Sequence, residues 1–154
     1  MMKKIELAQT CGNTMVEEML FEYDVNGEIC HPYRFSENAD TKNFLYYLVS
    51  DQRLVGVARY TPELRNPCHG NIGISIRPSE RGKGHGRQAI EKLIAIAVQT
   101  KGYATACIAE TNTKSIAAFT SCGMKETGKT YEWLKNGTVT KAVEYAYGNL
   151  HQTD

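Results

Sequence analysis

The sequence predicts one domain of the mixed α/β class, and three observations support it. First, "NIGISIR" (Asn71 to Arg77) is a hydrophobic strand running into a glycine-rich loop. A helical face follows at Ile90, Leu93, Ile94 and Ala97, then the buried run "YATACIA" (Tyr103 to Ala109). Strand, helix, strand is a βαβ unit, with parallel strands and a right-handed crossover. Second, tight turns join the other β-rich runs, so those strands pair as hairpins. Third, 154 residues can bury one core, and no repeat, low-complexity tract or linker divides them. The expected order is β-α-β-β-β-α-β-α-β-β in a mixed sheet, with 1–154 as a single unit.

Each element has its own reason. Lys3 to Gln9 reads as a short first strand. Thr14 and Glu17 have capping-box spacing, and Val16, Met19, Leu20 and Tyr23 then mark one helical face. Gly, Pro, Asn and Asp break that pattern in "DVNGEICHPYRFSENAD", an irregular connection. Phe44 to Ser50 and Arg53 to Thr61 flank Asp51-Gln52 as a hairpin. The helix after the glycine loop ends near Lys101-Gly102. Asn112 is placed to N-cap a short helix carrying Ile116 and Phe119, which Gly123 closes. "KTYEWLK-NG-TVTKAVEYAY" is a second hairpin turning at Asn136-Gly137.

Composition narrows the function. A formal net charge of +1 sets up no field toward nucleic acid or anionic lipid. No run approaches the roughly 18 apolar residues of a membrane span. "MMKKIELAQT" has no apolar stretch behind its lysines, so no secretory signal is expected. Cys11, Cys30, Cys68, Cys107 and Cys122 are odd in number and lack a C-x-x-C pair. Reduced thiols in a cytoplasm are therefore expected rather than disulfides or zinc. The histidines are too scattered for a metal site.

The informative stretch is "IRPSERGKGHGRQA", residues 76–89, with glycines at 82, 84 and 86. Arg77, Arg81, Lys83 and Arg87 stand against one acid, Glu80. A glycine loop that opens a helix presents main-chain N–H groups and the positive end of the helix dipole, an anion site. Glycine lets a ligand approach the backbone and supplies positive φ. The P-loop pattern G-x-x-x-x-G-K-S/T fails, because Lys83 is followed by Gly84. The dinucleotide pattern G-x-G-x-x-G fails on spacing, with Arg at position 87.

What fits is R-x-x-G-x-G at Arg81, Gly84 and Gly86, which resembles the pyrophosphate loop of the GNAT N-acetyltransferases. "NTKSIAAFTSCGM" is similar to that family's N-x-x-S-x-x-x-Y-x-x-x-G-F segment at Asn112, Ser115, Gly123 and Met124. The element order matches over nearly the whole chain. The resemblance implies a central parallel strand pair that splays apart, with acetyl-CoA as co-substrate and no metal. It implies that pantetheine pairs with backbone from Ile74 through Ser75 to Ile76. The pyrophosphate would rest on N–H groups of Gly82, Lys83, Gly84, His85, Gly86 and Arg87, with added charge from Arg81 and Lys83. Asn112, Ser115 and Phe119 would flank the coenzyme. A primary amine would then attack the thioester directly.

Two proton-transfer groups usual in that family are missing. The position of its tyrosine is Phe119, and that of its basic glutamate, counted without gaps, is Gly70. His69 and Glu110 are the candidate bases, and Tyr131 and Tyr145 lie on the terminal hairpin. Nothing marks an activating base beside Cys122, so an acyl intermediate there is not expected. These gaps leave a second reading, a non-catalytic acyl-CoA sensor. The acceptor wall would include "CHPYRFSENADTKN", where Glu37 and Asp40, with Glu28 just before them, favour a cation and Arg34 a carboxylate. A small-molecule or peptide amine fits, with monomer and homodimer both open.

Overall fold

The computed structural model describes residues 6–8, 44–64, 67–135 and 137–149. The predicted helix at Thr14 to Tyr23 and the acceptor-wall segment lie outside these residues. The strands are β1 (Glu6–Ala8), β2 (Phe44–Ser50), β3 (Arg53–Tyr60), β4 (Ile72–Ile76), β5 (Tyr103–Ala109), β6 (Lys125–Lys135) and β7 (Thr138–Gly148). Helix α1 (His85–Lys101) joins β4 to β5, and α2 (Thr113–Ser121) joins β5 to β6. Single 3-10 turns occupy Pro67–His69 and Pro78–Glu80.

The local signals behave as their chemistry requires. Asp51 and Gln52 have φ of 52° and 63°, so the first hairpin closes with positive φ at both central positions. Helix α1 buries Ala89, Ile90, Leu93, Ile94 and Ala97 and stops at Gly102, whose φ is 84°. The Asn112 side chain caps α2 by accepting from the Ser115 amide at 3.3 Å. Phe119 of α2 and Met124 beyond it enter the core.

The sheet departs from the expected form. The strands form two antiparallel sheets, β1-β2-β3-β4 and β5-β7-β6, rather than one continuous mixed sheet. The predicted β4–β5 pair makes no ladder. Instead the Asn71 side chain joins the sheets at the head of both strands. Its Oδ1 accepts from the Thr105 amide at 2.7 Å and its Nδ2 donates to the Tyr103 carbonyl at 3.2 Å. The Asn71 amide donates to Thr105 Oγ1 at 2.9 Å. A side-chain amide here makes the bonds that a ladder's main-chain partner would make. Helix α1 lies against β3, β4 and β5 and packs over this seam. Its apolar face meets Ala58, Ile72, Ala104, Ala106, Ile108 and Tyr145 in the core.

Candidate active site

The open edges of the seam follow from register. The Thr61 amide donates to Asn71 O, and the Arg77 amide to Val55 O. Antiparallel pairing alternates, so Gly73 and Ser75 turn their main-chain groups toward β3. Those of Ile72, Ile74 and Ile76 point away from β3, toward β5. On β5 the Glu110 amide donates to Lys141 O, and the Asn149 amide to Gly102 O. By the same alternation Thr105, Cys107 and Ala109 point their main-chain groups toward β4. Two strand edges therefore face each other across a cleft headed by Asn71. Of the three residues expected at this edge, Ile74 and Ile76 face the cleft, and Ser75 faces Val57 instead.

The glycine loop closes one end of the cleft. Gly82 and Gly84 have φ of 78° and 83°, which side chains adopt at a cost. A Cβ at Gly82 would meet nothing within 4 Å, and one at Gly86 would make only ordinary contact, 3.6 Å from Ile74 Cδ1. Packing within the protein therefore does not require either glycine. Gly84 is the N-cap of α1 and no side chain caps that end. The first bond of α1 runs from the Gln88 amide to Gly84 O at 3.3 Å. The amides of Gly86 and Arg87 have no carbonyl four residues back within the helix, so they are directed out of its end.

The loop's charges are organised around a buried acid. Glu80 is 2 % exposed and is paired with Arg53 and with Lys83, whose Nζ lies 2.8 Å from Oε2. Burial alone would raise its pKa. The Lys83 hydrogen bond and the charges of Arg53, Lys83 and His85 outweigh burial and hold it below the ordinary value. His85 is buried at the first position of α1. Arg81 Nε donates to Ile76 O at 2.9 Å, Arg77 Nη1 to Leu54 O at 3.1 Å, and Arg87 pairs with Glu91. The sequence identified this basic loop, but Arg53 as the partner of Glu80 depends on β2–β3 hairpin geometry.

The head of the cleft is built by Arg59, 7 % exposed on β3. Its guanidinium donates to Gly70 O, His69 O and Ile72 O and to Thr61 Oγ1. Burial pulls its pKa down to about 10, so it stays charged at neutral pH. Gly70 has φ 71°, and a Cβ there would lie 2.5 Å from Thr105 O and 2.6 Å from Ala106 Cα. No side chain fits, which accounts physically for the missing glutamate. His69 is exposed with its ring stacked on Trp133, and Trp133 Nε1 donates to Cys68 O at 2.9 Å. Glu110 is exposed beyond β5, with Lys141 Nζ 4.0 Å away. Asn112 is exposed, Ser115 is half-buried and Phe119 is 4 % exposed in the core.

On the face away from α1, Tyr131 is a sequence candidate, but the groups around it carry no sequence signal strong enough to find them. Cys107 of β5 lies opposite Glu144 of β7, which is 6 % exposed. Thr127 Oγ1 donates to Glu144 Oε1 at 2.8 Å and the Tyr131 hydroxyl to Oε2 at 3.3 Å. Burial first, then the charge of Glu144, pushes the Cys107 thiol up to about 12. Tyr131 is raised by burial and by Glu144. Tyr145 belongs to the core on the opposite face, raised by burial and by Glu126. Burial also raises Cys122, whose Sγ donates to Arg87 O, so it is no activated nucleophile. No group of metal-ligating side chains occurs among the described residues, and no helix among them is long and apolar enough to cross a membrane.

Comparison with known proteins addresses the fold and the family. The family described as Acetyltransferase (GNAT) matches residues 13–124. Among solved structures, a probable acetyltransferase superposes with TM-score 0.74 at 20% identity, covering 94% of this chain and 93% of that one. The microcin self-immunity acetyltransferase MccE, in complex with acetyl-CoA and AMP, gives 0.73 at 20%, covering 95% and 93%. The spermidine N-acetyltransferase from Vibrio cholerae, in complex with CoA and spermine, gives 0.71 at 16%, covering 94% and 95%. Among curated proteins, none matches the sequence.

Proposed function

We propose, on the premise that the chain belongs to the GNAT acetyltransferase family and is an acyltransferase, that it moves the acetyl group of acetyl-CoA to a primary amine by direct attack. The observation that carries the reading is a glycine-led helix start with no capping side chain, at the end of a strand whose edge opens onto a second open edge. An uncapped helix end favours an anion, here the pyrophosphate, on amides from Gly82 through Lys83, Gly84, His85 and Gly86 to Arg87. Pantetheine pairs with the cleft-facing main chain of Ile74 and Ile76. Arg81 and Lys83 add charge at the cleft mouth; Lys83 can leave Glu80 because Arg53 still neutralises it. Asn112 and Ser115 flank the arm, and Phe119 backs the wall by packing. Structural relatives that hold acetyl-CoA, or CoA with a polyamine, support this choice of coenzyme and acceptor class.

The neutral nitrogen adds to the thioester carbon, and its lone pair becomes the new C–N bond. The developing oxyanion accepts from an N–H on the open edge of β4. The oxyanion re-forms the carbonyl, the C–S bond breaks, and the CoA thiolate takes the proton that the nitrogen gives up. Holding amine and thioester in one cleft supplies much of the acceleration. Calorimetry with CoA and acetyl-CoA, followed by thiol release on a primary-amine panel, tests the reading. Binding with turnover supports it. Binding without turnover on any amine favours the sensor reading, and absence of binding overturns both.

A further inference from the structure

We propose, resting on the acetyltransfer reading above, that Glu144 is the proton acceptor for the incoming amine and is reached through the Tyr131 hydroxyl. The β6–β7 register explains why this acid is unusual. Glu126 pairs with Tyr145 and Thr130 with Val143, so residues 127–129 all stand opposite Glu144. That bulge, with Gly128 at φ 92°, turns the Thr127 hydroxyl onto Oε1. Bulges beside active sites commonly re-aim a side chain. Among the described residues no lysine, arginine or histidine pairs with Glu144. Lys129 in the bulge is exposed and bonds Thr127 Oγ1 through its amide. A carboxylate buried without a cation is costly to hold, and the fold holds this one with two hydroxyls.

Its position suits the task. Cys107 and Glu144 form a pair without mutual main-chain bonds, where side chains approach most closely. One strand spacing, about 4.8 Å, separates Glu144 from the strand that walls the cleft. The titratable and charged groups on this face include Cys107 of β5, Cys68 and His69 of the turn, Tyr131 of β6 and Arg59 of β3, with the His69 ring stacked on Trp133. Burial and then the charge of Glu144 raise both the Cys107 thiol and the Tyr131 hydroxyl, favouring their protonated forms. Arg59 is engaged by the carbonyls of the turn. Tyr131 is half-buried and its hydroxyl donates to Glu144, so it joins that buried acid to a side chain that solvent partly reaches.

The step balances. An ammonium N–H bond breaks and its proton goes to Tyr131 Oη as the Tyr131 proton goes to Glu144 Oε2. The neutral amine attacks, and the proton it loses on forming the amide goes to the departing thiolate. Glu144 later returns its proton to solvent.

The test uses Glu144→Gln and Tyr131→Phe, with spermidine, free lysine and an alanine-ended peptide as acceptors. Thermal melting and acetyl-CoA affinity are measured on each variant. Glu144→Gln should keep acetyl-CoA affinity within about twofold and lose about 100-fold in kcat/KM at pH 7. Its rate should climb about tenfold per pH unit toward the amine's own pKa, closing most of the deficit by pH 10, whereas the wild-type rate flattens. Tyr131→Phe should show the same profile with a loss of about tenfold. Wild-type kcat/KM in Glu144→Gln, or an equal loss at every pH, would overturn the proposal. So would a wild type that binds acetyl-CoA yet acetylates none of the three amines. A wild type that fails to bind acetyl-CoA overturns the acetyltransfer reading itself.

Discussion

Replacing Asn71 with alanine tests whether one side chain holds the two sheets together at the head of the cleft. Asn71 is 1 % exposed, and alanine leaves the Tyr103 carbonyl and the Thr105 amide without their partner. Each buried polar group left unsatisfied costs about 1–3 kcal/mol, so the pair costs about 2–6 kcal/mol. Water entering beside the smaller side chain recovers part of that, which favours about 3 kcal/mol. Against a domain stability of about 5–15 kcal/mol, such a loss is easily measured.

Urea unfolding at pH 7 gives the stability, and calorimetric titration with acetyl-CoA at low temperature gives the affinity. Asn71→Ala should lose about 3 kcal/mol and bind acetyl-CoA at least about tenfold more weakly, because the strand edges are no longer held at one spacing. Asn71→Asp separates hydrogen bonding from simple packing. Its carboxylate still accepts from the Thr105 amide but repels the Tyr103 carbonyl. It should be destabilised at pH 7 and regain stability as acidification lets it donate to that carbonyl. An Asn71→Ala protein within about 0.5 kcal/mol of wild type, with normal affinity, would refute the idea that this amide sets the cleft.

Four further outcomes follow from the same geometry. Gly84→Asp should fold, since an acid at the helix start offsets part of the cost of φ 83°, yet lose at least about 100-fold in acetyl-CoA affinity by calorimetry. Gly70→Ala should lose more than about 2 kcal/mol in urea unfolding because its Cβ meets Thr105 O at 2.5 Å; Gly86→Ala should stay within about 1 kcal/mol. Glu80, with a folded pKa below the ordinary 4.5, contributes stability above that pH and loses it as pH falls through the folded value. Glu80→Gln should therefore be about 1–2 kcal/mol less stable at pH 7 and show a flatter acid limb in a melting-temperature profile. If Glu144 takes the proton as proposed, His69→Ala should keep kcat/KM within about threefold at pH 7, its ring being stacked on Trp133; a large loss there would return the role of base to His69.

What was legible in the sequence was local in the chain. Gly82, Gly84 and Gly86, the α1 face from Ala89 to Ala97, the Asn112 cap and the turn at Asp51-Gln52 each depend on residues a few positions apart. Their chemistry acts over the same range, so spacing alone reveals it. The Asn71 bridge spans more than thirty positions to Thr105, and Arg53 reaches Glu80 across a separation of 27. Neither residue type announces such a partner. Alternation along β4 is readable in principle, yet which neighbour each edge faces depends on β3 register, so the sequence does not separate Ser75, whose main chain faces β3, from Ile74 and Ile76.

The same distinction separates the two halves of the reaction. A coenzyme's diphosphate is a small, invariant anion, and one contiguous loop of amides can hold it. On the proposal above, the acceptor amine depends on groups from several elements: Glu144 of β7, opposite Cys107 of β5, held by Thr127 and Tyr131 across a bulge. In sequence, Glu144 is only an acid between Val143 and Tyr145, on a strand face where its neighbours Ala142 and Ala146 are small. That small–acid–small pattern opposite a glycine-containing bulge is the one signal available beforehand. It gains meaning only once register shows three residues facing one, because without the bulge the acid would have no reason to be buried.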